Sequence, residues 1–204
     1  MKKIIVIGYK VTRFFYRRIN DFVCKAVTFT VFYVNEVEFS NFSTKGIPYI
    51  SVNKNCKCII GGNLKMNNTI SSNPIGRNQR CILSVSNNGV LKIGQNVGIS
   101  AVAIACMYRI TIGNNVMIGG GTCIYDSDYH PLNAYQRITK QNEFIVSDEV
   151  IIEDNVFIGA NSTILKGVRI GSNSVVGACS VVTKSIPENE IWGGNPAKCL
   201  KRLS

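Results

Sequence analysis

The candidate chemistry of this chain centres on His130, the only histidine in the sequence. An imidazole exchanges a proton near neutral pH without help from its surroundings, which suits it to general-base work. Asp126 and Asp128 lie just upstream and can orient it. A lone histidine is more often structural, and what singles this one out is that it stands where a sequence repeat breaks off. One imidazole cannot build a catalytic zinc site, which generally takes three protein ligands, and the cysteines at 24, 56, 58, 81, 106, 123, 179 and 199 lack a paired ligand spacing. No metal is expected. Cys123, upstream of His130, offers an alternative covalent route as a nucleophile. Arg77 and Arg80 share the loop segment 73–80. They are either solvated turn residues or two guanidiniums facing an anionic acceptor or carrier phosphate.

A repeat must position these groups. From Ile152 an aliphatic residue recurs at every sixth position: Ile152, Ile158, Ile164, Ile170, Val176 and Val182. Four places after each stands a small or aliphatic partner, namely Val156, Ser162, Val168, Ser174, Ser180 and Ile186. A helix needs apolar spacing of about 3.6 and a half-buried strand a spacing of about 2, and this run fits neither. A parallel β-helix fits, because each hexad makes one short face of a coil and stacked coils bury an aliphatic column. The same register is plain from Leu91, through Ile93 and Ile99, slips once near Ala105–Cys106, and resumes at Ile112, Ile118 and Ile124. His130 occupies the next place in it. Pro131 then ends the register, and 131–145 form an excursion before Val146 restarts the repeat. A long loop inside a compact array is usually functional.

At 204 residues and 46% hydrophobic content the chain has a one-domain size with room for a core. Lys plus Arg total 23 against 12 acids, a net charge of +11, yet no nucleic-acid-binding module accompanies it. Phosphates, an acidic glycan or a membrane surface are the remaining anions. Within residues 1–25 stand Lys2, Lys3, Lys10, Arg13, Arg17, Arg18 and Lys25 against Asp21 alone. Val11, Phe15, Ile19 and Phe22 have helical spacing there. That helix either caps the open end of the solenoid or rests on an anionic membrane, and the two are compatible. Residues 27–60 read as irregular β structure, from VTFTVFYV through VEF to IPYISV, with weak coil periodicity near Ile59–Gly61. The first residues are too short and too charged for a secretory leader, and there is no apolar run long enough to span a bilayer, so a cytoplasmic protein with reduced thiols is expected.

Several segments together resemble the hexapeptide-repeat acyltransferases. They are the hexads, Ile124-Tyr-Asp-Ser-Asp-Tyr-His-Pro-Leu132, Ile158-Gly-Ala, Gly177-Ala-Cys-Ser-Val-Val-Thr-Lys184 and Gly194-Asn-Pro-Ala-Lys198. Within that family the chain is similar to the maltose/galactoside O-acetyltransferase branch and its polysaccharide-biosynthesis relatives, over roughly residues 58–203. The resemblance implies an all-β, left-handed parallel β-helix, a hand that departs from the usual right-handed crossover. It also implies a homotrimer with acetyl-CoA bound between subunits. The resulting layout is a basic N-terminal helical or irregular extension (1–57), the β-helix with its loop (58–191) and a short C-terminal tail or helix (192–204).

By motif position, His130 matches the family's catalytic histidine. Gly159, Ala160, Gly177 and Ala178 match the stretch that holds the pantetheine arm, and Thr183, Lys184, Lys198 and Lys201 the places near the adenosine and phosphates of CoA. Phe157 stands where the family often has Trp, and Cys179 where Gly is usual. The implied function is O-acetylation of a sugar hydroxyl in surface polysaccharide biosynthesis, with Arg77, Arg80, Asp126 and Asp128 as acceptor-side candidates. The acceptor would be a glycan or a lipid-linked glycan. N-acetylation of an amino sugar or nucleotide-sugar is the enzymatic alternative, and a non-catalytic solenoid the alternative of another class.

Overall fold

The computed structural model describes residues 1–74, 76 and 78–203. From Glu38 onward short strands stack in parallel into three sheets, the three faces of a β-helix. The first face comprises Glu38–Phe39, Lys57–Ile60, Val90–Ile93, Arg109–Ile112, Val150–Ile152 and Arg169–Ile170. The second includes Phe42–Lys45, Leu64–Asn67, Gly98–Ser100, Met117–Ile118, Phe157–Ile158 and Val175–Val176. The third comprises Tyr49–Val52, Ile82–Val85, Ala103–Cys106, Cys123–Tyr125, Thr163–Ile164 and Val181–Val182. Ile152 pairs with Ile170, Ile158 with Val176 and Ile164 with Val182, so three hexads make one coil. All of these side chains are fully buried, as are the second-position residues Val156, Ser162, Val168, Ser174 and Ser180.

A chain that turns after every strand needs special backbone at each corner. Between the first and second faces that residue is an asparagine in six successive coils: Asn63, Asn96, Asn115, Asn155, Asn173 and Asn189, all with φ between 57° and 63°. Asparagine tolerates this left-handed conformation better than other side chains with a Cβ. Each of the first five carboxamides also donates to the next oxygen along the stack, at 3.0 Å from Asn63 to Asn96 and 3.1 Å from Asn96 to Asn115. The ladder continues at 3.1 Å to Asn155, then at 3.0 Å to Asn173 and 3.0 Å to Asn189. The same residue type thus solves the turn and ties neighbouring coils together.

The structure departs from the sequence reading at both ends. VTFTVFYV is helical: helix α1 (Lys2–Val34) runs through it without a break. Its β-branched and aromatic residues favour strands intrinsically, but Cys24, Thr28 and Phe32, four apart, bury on the open end of the solenoid and fix the helix there. Phe32 packs on Phe39 and Phe42, ring centroids 5.1 and 4.9 Å away. The coils start at Glu38 rather than 58, because strands such as Phe42–Lys45 pair in register with the next coil. At the other end, the residues read as a tail or helix form an antiparallel hairpin, Glu190–Gly194 with Ala197–Arg202, added to the second face.

That hairpin is pinned by the buried Glu190. Its carboxylate accepts from the Trp192 indole at 2.7 Å and from Arg202 Nε at 3.0 Å. The indole hydrogen bond, against the cost of burial, holds the Glu190 carboxyl below its ordinary range, with help from Cys199 and Arg202.

Three predictions follow from this architecture. Ile158→Ala, at the centre of the column, should lower unfolding free energy by about 2–5 kcal/mol in a denaturant titration. Asn155→Ala should cost about 1 kcal/mol more than Asn155→Gly, since only the alanine is strained at positive φ. The third prediction concerns pH. A folded-state pKa lower than the unfolded one adds stability that is complete above the unfolded value, about 4.3, and is lost as pH falls through the folded one. Trp192 is the sole tryptophan, so its emission should shift in that acid range in the native chain. Glu190→Gln should lack the transition, and the same transition in both proteins would refute the assignment.

Candidate functional site

The excursion replaces the corner between the third and first faces in one coil. Ile112 pairs with Ile152, forty places on, where Ile152 and Ile170 are only eighteen apart. Its base is closed by an antiparallel bridge between Ser127 and Ser147, by Asp128 N–H donating to the Val146 carbonyl at 3.1 Å and by Asp148 N–H to the Asp126 carbonyl at 2.9 Å. His130 therefore stands beyond the bridge on the outgoing limb, exposed, and not inside the coil register. The limb is held from both sides. Tyr129 turns at φ 60° with its N–H on Ser127 Oγ at 3.2 Å. Behind His130, helix α2 (Ala134–Ile138), capped by Asn133, sends Arg137 Nη1 back to the carbonyls of Pro131 and Leu132 at 2.9 and 2.8 Å.

The two aspartates have different duties. Asp126 is fully buried, and its two oxygens accept the N–H groups of Met107 and Tyr108 at 2.8 and 2.9 Å. It closes the corner of the preceding coil and is not available to an acceptor, which corrects the expectation from the sequence. Its charge, after burial itself, drives the Cys106 thiol and the Tyr129 phenol upward in pKa, so both stay neutral. Asp128 remains at the site. Its carboxylate lies 3.3 Å from the Lys166 ammonium, which rises from the next coil. Sequence reasoning missed Lys166, because its position in the hexad says nothing about what stands on the coil before it.

Cys123 and Tyr125 flank the inward-pointing Ile124 and share the outer surface of the third face. The Tyr125 phenol is pushed up to about 12, first by its hydrogen bond with Cys123 and then by burial. The Cys123 thiol also lies 4.0 Å from the Gly121 carbonyl. Neither partner is a general base for the thiol.

The residues matched to the CoA stretch fall elsewhere. Gly159, Ala160, Gly177 and Ala178 form a column at the corner between the second and third faces. Gly159 is buried, and a Cβ there would meet the Ala178 nitrogen at 2.5 Å, so coil stacking itself requires glycine. Above the column the hairpin folds over: Gly177 N–H donates to the Trp192 carbonyl at 2.7 Å and Gly194 N–H to Ser180 Oγ at 3.1 Å. Lys198 pairs with Gly193 near the hairpin tip, and Lys201 with Ile191 further along, both exposed. Cys179 is exposed at φ 60° on the same corner, stacked on Asn161, so its side chain points out rather than into the core. Phe157 stays on the outer surface of the second face. Thr183 and Lys184 end the third face, at the edge His130 occupies. Arg80 is exposed in its loop, and Arg77 lies outside the described residues.

The residues singled out from the sequence thus fall in two groups along opposite edges of the third face. At one edge are His130, Asp128 and Lys166, then Thr183 and Lys184. At the other are the Gly159–Ala160 and Gly177–Ala178 column and Lys198. A strand such as Cys123–Tyr125 separates them, about 10 Å of extended chain. Among the described residues there is no group of three or more metal-ligating side chains.

Residues 149–184 match the family model described as the hexapeptide repeat of succinyl-transferase. The chain is 40% identical over 95 residues to a galactoside O-acetyltransferase of Lactococcus lactis, covering 47% of this chain and 44% of that one. It is 34% identical over 128 residues to an Escherichia coli K12 protein provisionally named a lipopolysaccharide biosynthesis O-acetyl transferase, WbbJ, covering 60% and 65%. The chain thus spans about half to two thirds of the length of these relatives. A solved galactoside acetyltransferase in complex with coenzyme A superposes with a TM-score of 0.53 at 26% identity, over 81% of this chain and 66% of that one. The three stacked faces and the six-residue period make the fold that of a left-handed β-helix, and residues 149–184 carry the hexapeptide repeat that the family model describes.

Proposed function

We propose that the chain is an acetyl-CoA-dependent O-acetyltransferase acting on a sugar hydroxyl in surface polysaccharide biosynthesis, with His130 as general base. The observation that carries this reading is the separation of the two half-sites on one face. His130 is presented on a braced limb with no binding column beside it in its own chain, and the column with its lysines lies at the far edge. A homotrimer packed through this face would set His130 of one subunit against the column of its neighbour. The likeness to O-acetyltransferases, one solved with coenzyme A, supports the same donor.

In this mechanism the acceptor hydroxyl lies on His130, which takes its proton as the oxygen attacks the thioester carbonyl. The C–S bond then breaks, and the imidazolium returns the proton to the departing thiolate. The oxyanion needs fixed donors, and backbone N–H groups at the Ala160 and Ala178 corner are suited to that role. Lys198, Lys201 and Lys184 supply cations for the CoA phosphates. Asp128, paired with Lys166, anchors the start of the limb that carries His130. Arg80, exposed near the first coils, is the remaining acceptor-side cation, and Arg77 stays a candidate on sequence alone.

The decisive assay follows CoA release chromatographically with simple sugars, amino sugars, nucleotide-sugars and lipid-linked glycans. His130→Ala should lower kcat by about 10²–10⁴-fold while the protein stays folded and trimeric; unchanged turnover would defeat the mechanism. An amine product would move the reading to N-acetyl transfer on the same base. Lys198→Ala with Lys201→Ala should raise KM for acetyl-CoA by about tenfold and leave kcat near its starting value, as expected when uniform binding is lost. A fall in kcat alone would remove these lysines from phosphate binding.

A further inference from the structure

We propose that the N-terminal two thirds of α1 is a docking element for an anionic lipid bilayer, lying along its surface with an aromatic stripe in the head-group region. Only the last turns of this helix pack on the protein: Cys24, Thr28 and Phe32 are its buried residues. The helix is 33 residues, about 50 Å, and residues 2–20 are exposed without exception. At 3.6 residues per turn, Ile4, Val11, Phe15 and Phe22 form one stripe, roughly 120° around the helix from the docked residues. Phe29, further along the same line, packs on Phe39 of the body with ring centroids 5.5 Å apart, so the stripe is uncovered over the turns before it. Phe15 is 59% exposed and Phe22 75%. Ile5, Ile19 and Val23, all exposed, widen the stripe well past a narrow coiled-coil seam, which argues against a second copy of the helix as its occupant.

Charge decides the partner. Seven basic residues stand against Asp21 within residues 1–25. Arg18 and Lys25 border the stripe, where their heads would reach phosphate level while their stems stay on apolar surface. Lys10, Arg13 and Arg17 lie on the polar side, within the range over which anionic lipids attract cations. A wide apolar face with cations around it is the pattern of an interfacial helix. No helix of the described residues is long and apolar enough to cross a membrane, so α1 would lie on the surface.

The test is co-sedimentation of the full chain with vesicles of phosphatidylcholine alone and of phosphatidylcholine with phosphatidylglycerol, at low and high salt. Binding is expected to the mixed vesicles, weakened by salt. The double variant Phe15→Glu/Phe22→Glu should bind about tenfold less, with Trp192 emission unchanged as a check on the solenoid. Failure of the native chain to bind mixed vesicles would overturn the proposal, as would equal binding by the variant. So would a native chain larger in solution than the variant and indifferent to vesicles, which would assign the stripe to a second copy. Acetyl transfer to a soluble acceptor should be the same in both proteins, so this result stands or falls apart from the proposed activity.

Discussion

The turn at each corner is the constraint on which the rest of the molecule depends. A β-helix of this width needs a left-handed residue at its corners, and a side chain there both strains the backbone and competes for hydrogen bonds. The Asn63 to Asn189 ladder meets both costs with one residue type, because each carboxamide between the two ends accepts from the coil before it and donates to the coil after it. With the corners satisfied, the inward aliphatic residues fall into columns and the coils stack in parallel. The glycines obey the same geometry. Gly119 and Gly159 sit under the backbone nitrogens of Ala160 and Ala178, with no room for a methyl group.

Stacking of this kind leaves the outer surface flat, so the proposed catalytic arrangement needs something that leaves the coil. The excursion at 127–147 provides it. Its base is a bridge, its limb is braced by Arg137, and the ion pair of Asp128 with Lys166 fastens it to the coil beyond. Asp126, in the same stretch, does work of another kind: buried and satisfied by two amides, it closes the preceding corner and so fixes where the limb departs. The proposed chemistry then rests on a division of labour between two edges of one face.

Helix α1 belongs to neither arrangement. Its final turns close the open end of the solenoid through Phe32, and its remaining length projects an apolar surface that the fold does not use. Capping and lipid contact are compatible because they occupy different faces and different stretches of the same helix.

The sequence by itself determined the coils from Leu91 onward, since a six-residue aliphatic period has no other regular solution, and it located His130 at the break in that period. It did not reveal the first coil, whose core uses Phe42, and showed only a weak period where the coil of Leu64 and Met66 begins, because the insertions there vary in length. It misread Val27–Val34 because local propensity favours a strand where burial of Thr28 and Phe32 imposes a helix. Tertiary structure alone separated Asp126 from Asp128, paired Lys166 with the latter and placed the glycine column at the far edge from His130. The physical reason is that a hexad specifies which side chains point inward, whereas neighbours across coils are set by how many residues each corner inserts. That number is decided by packing, one coil upon the next.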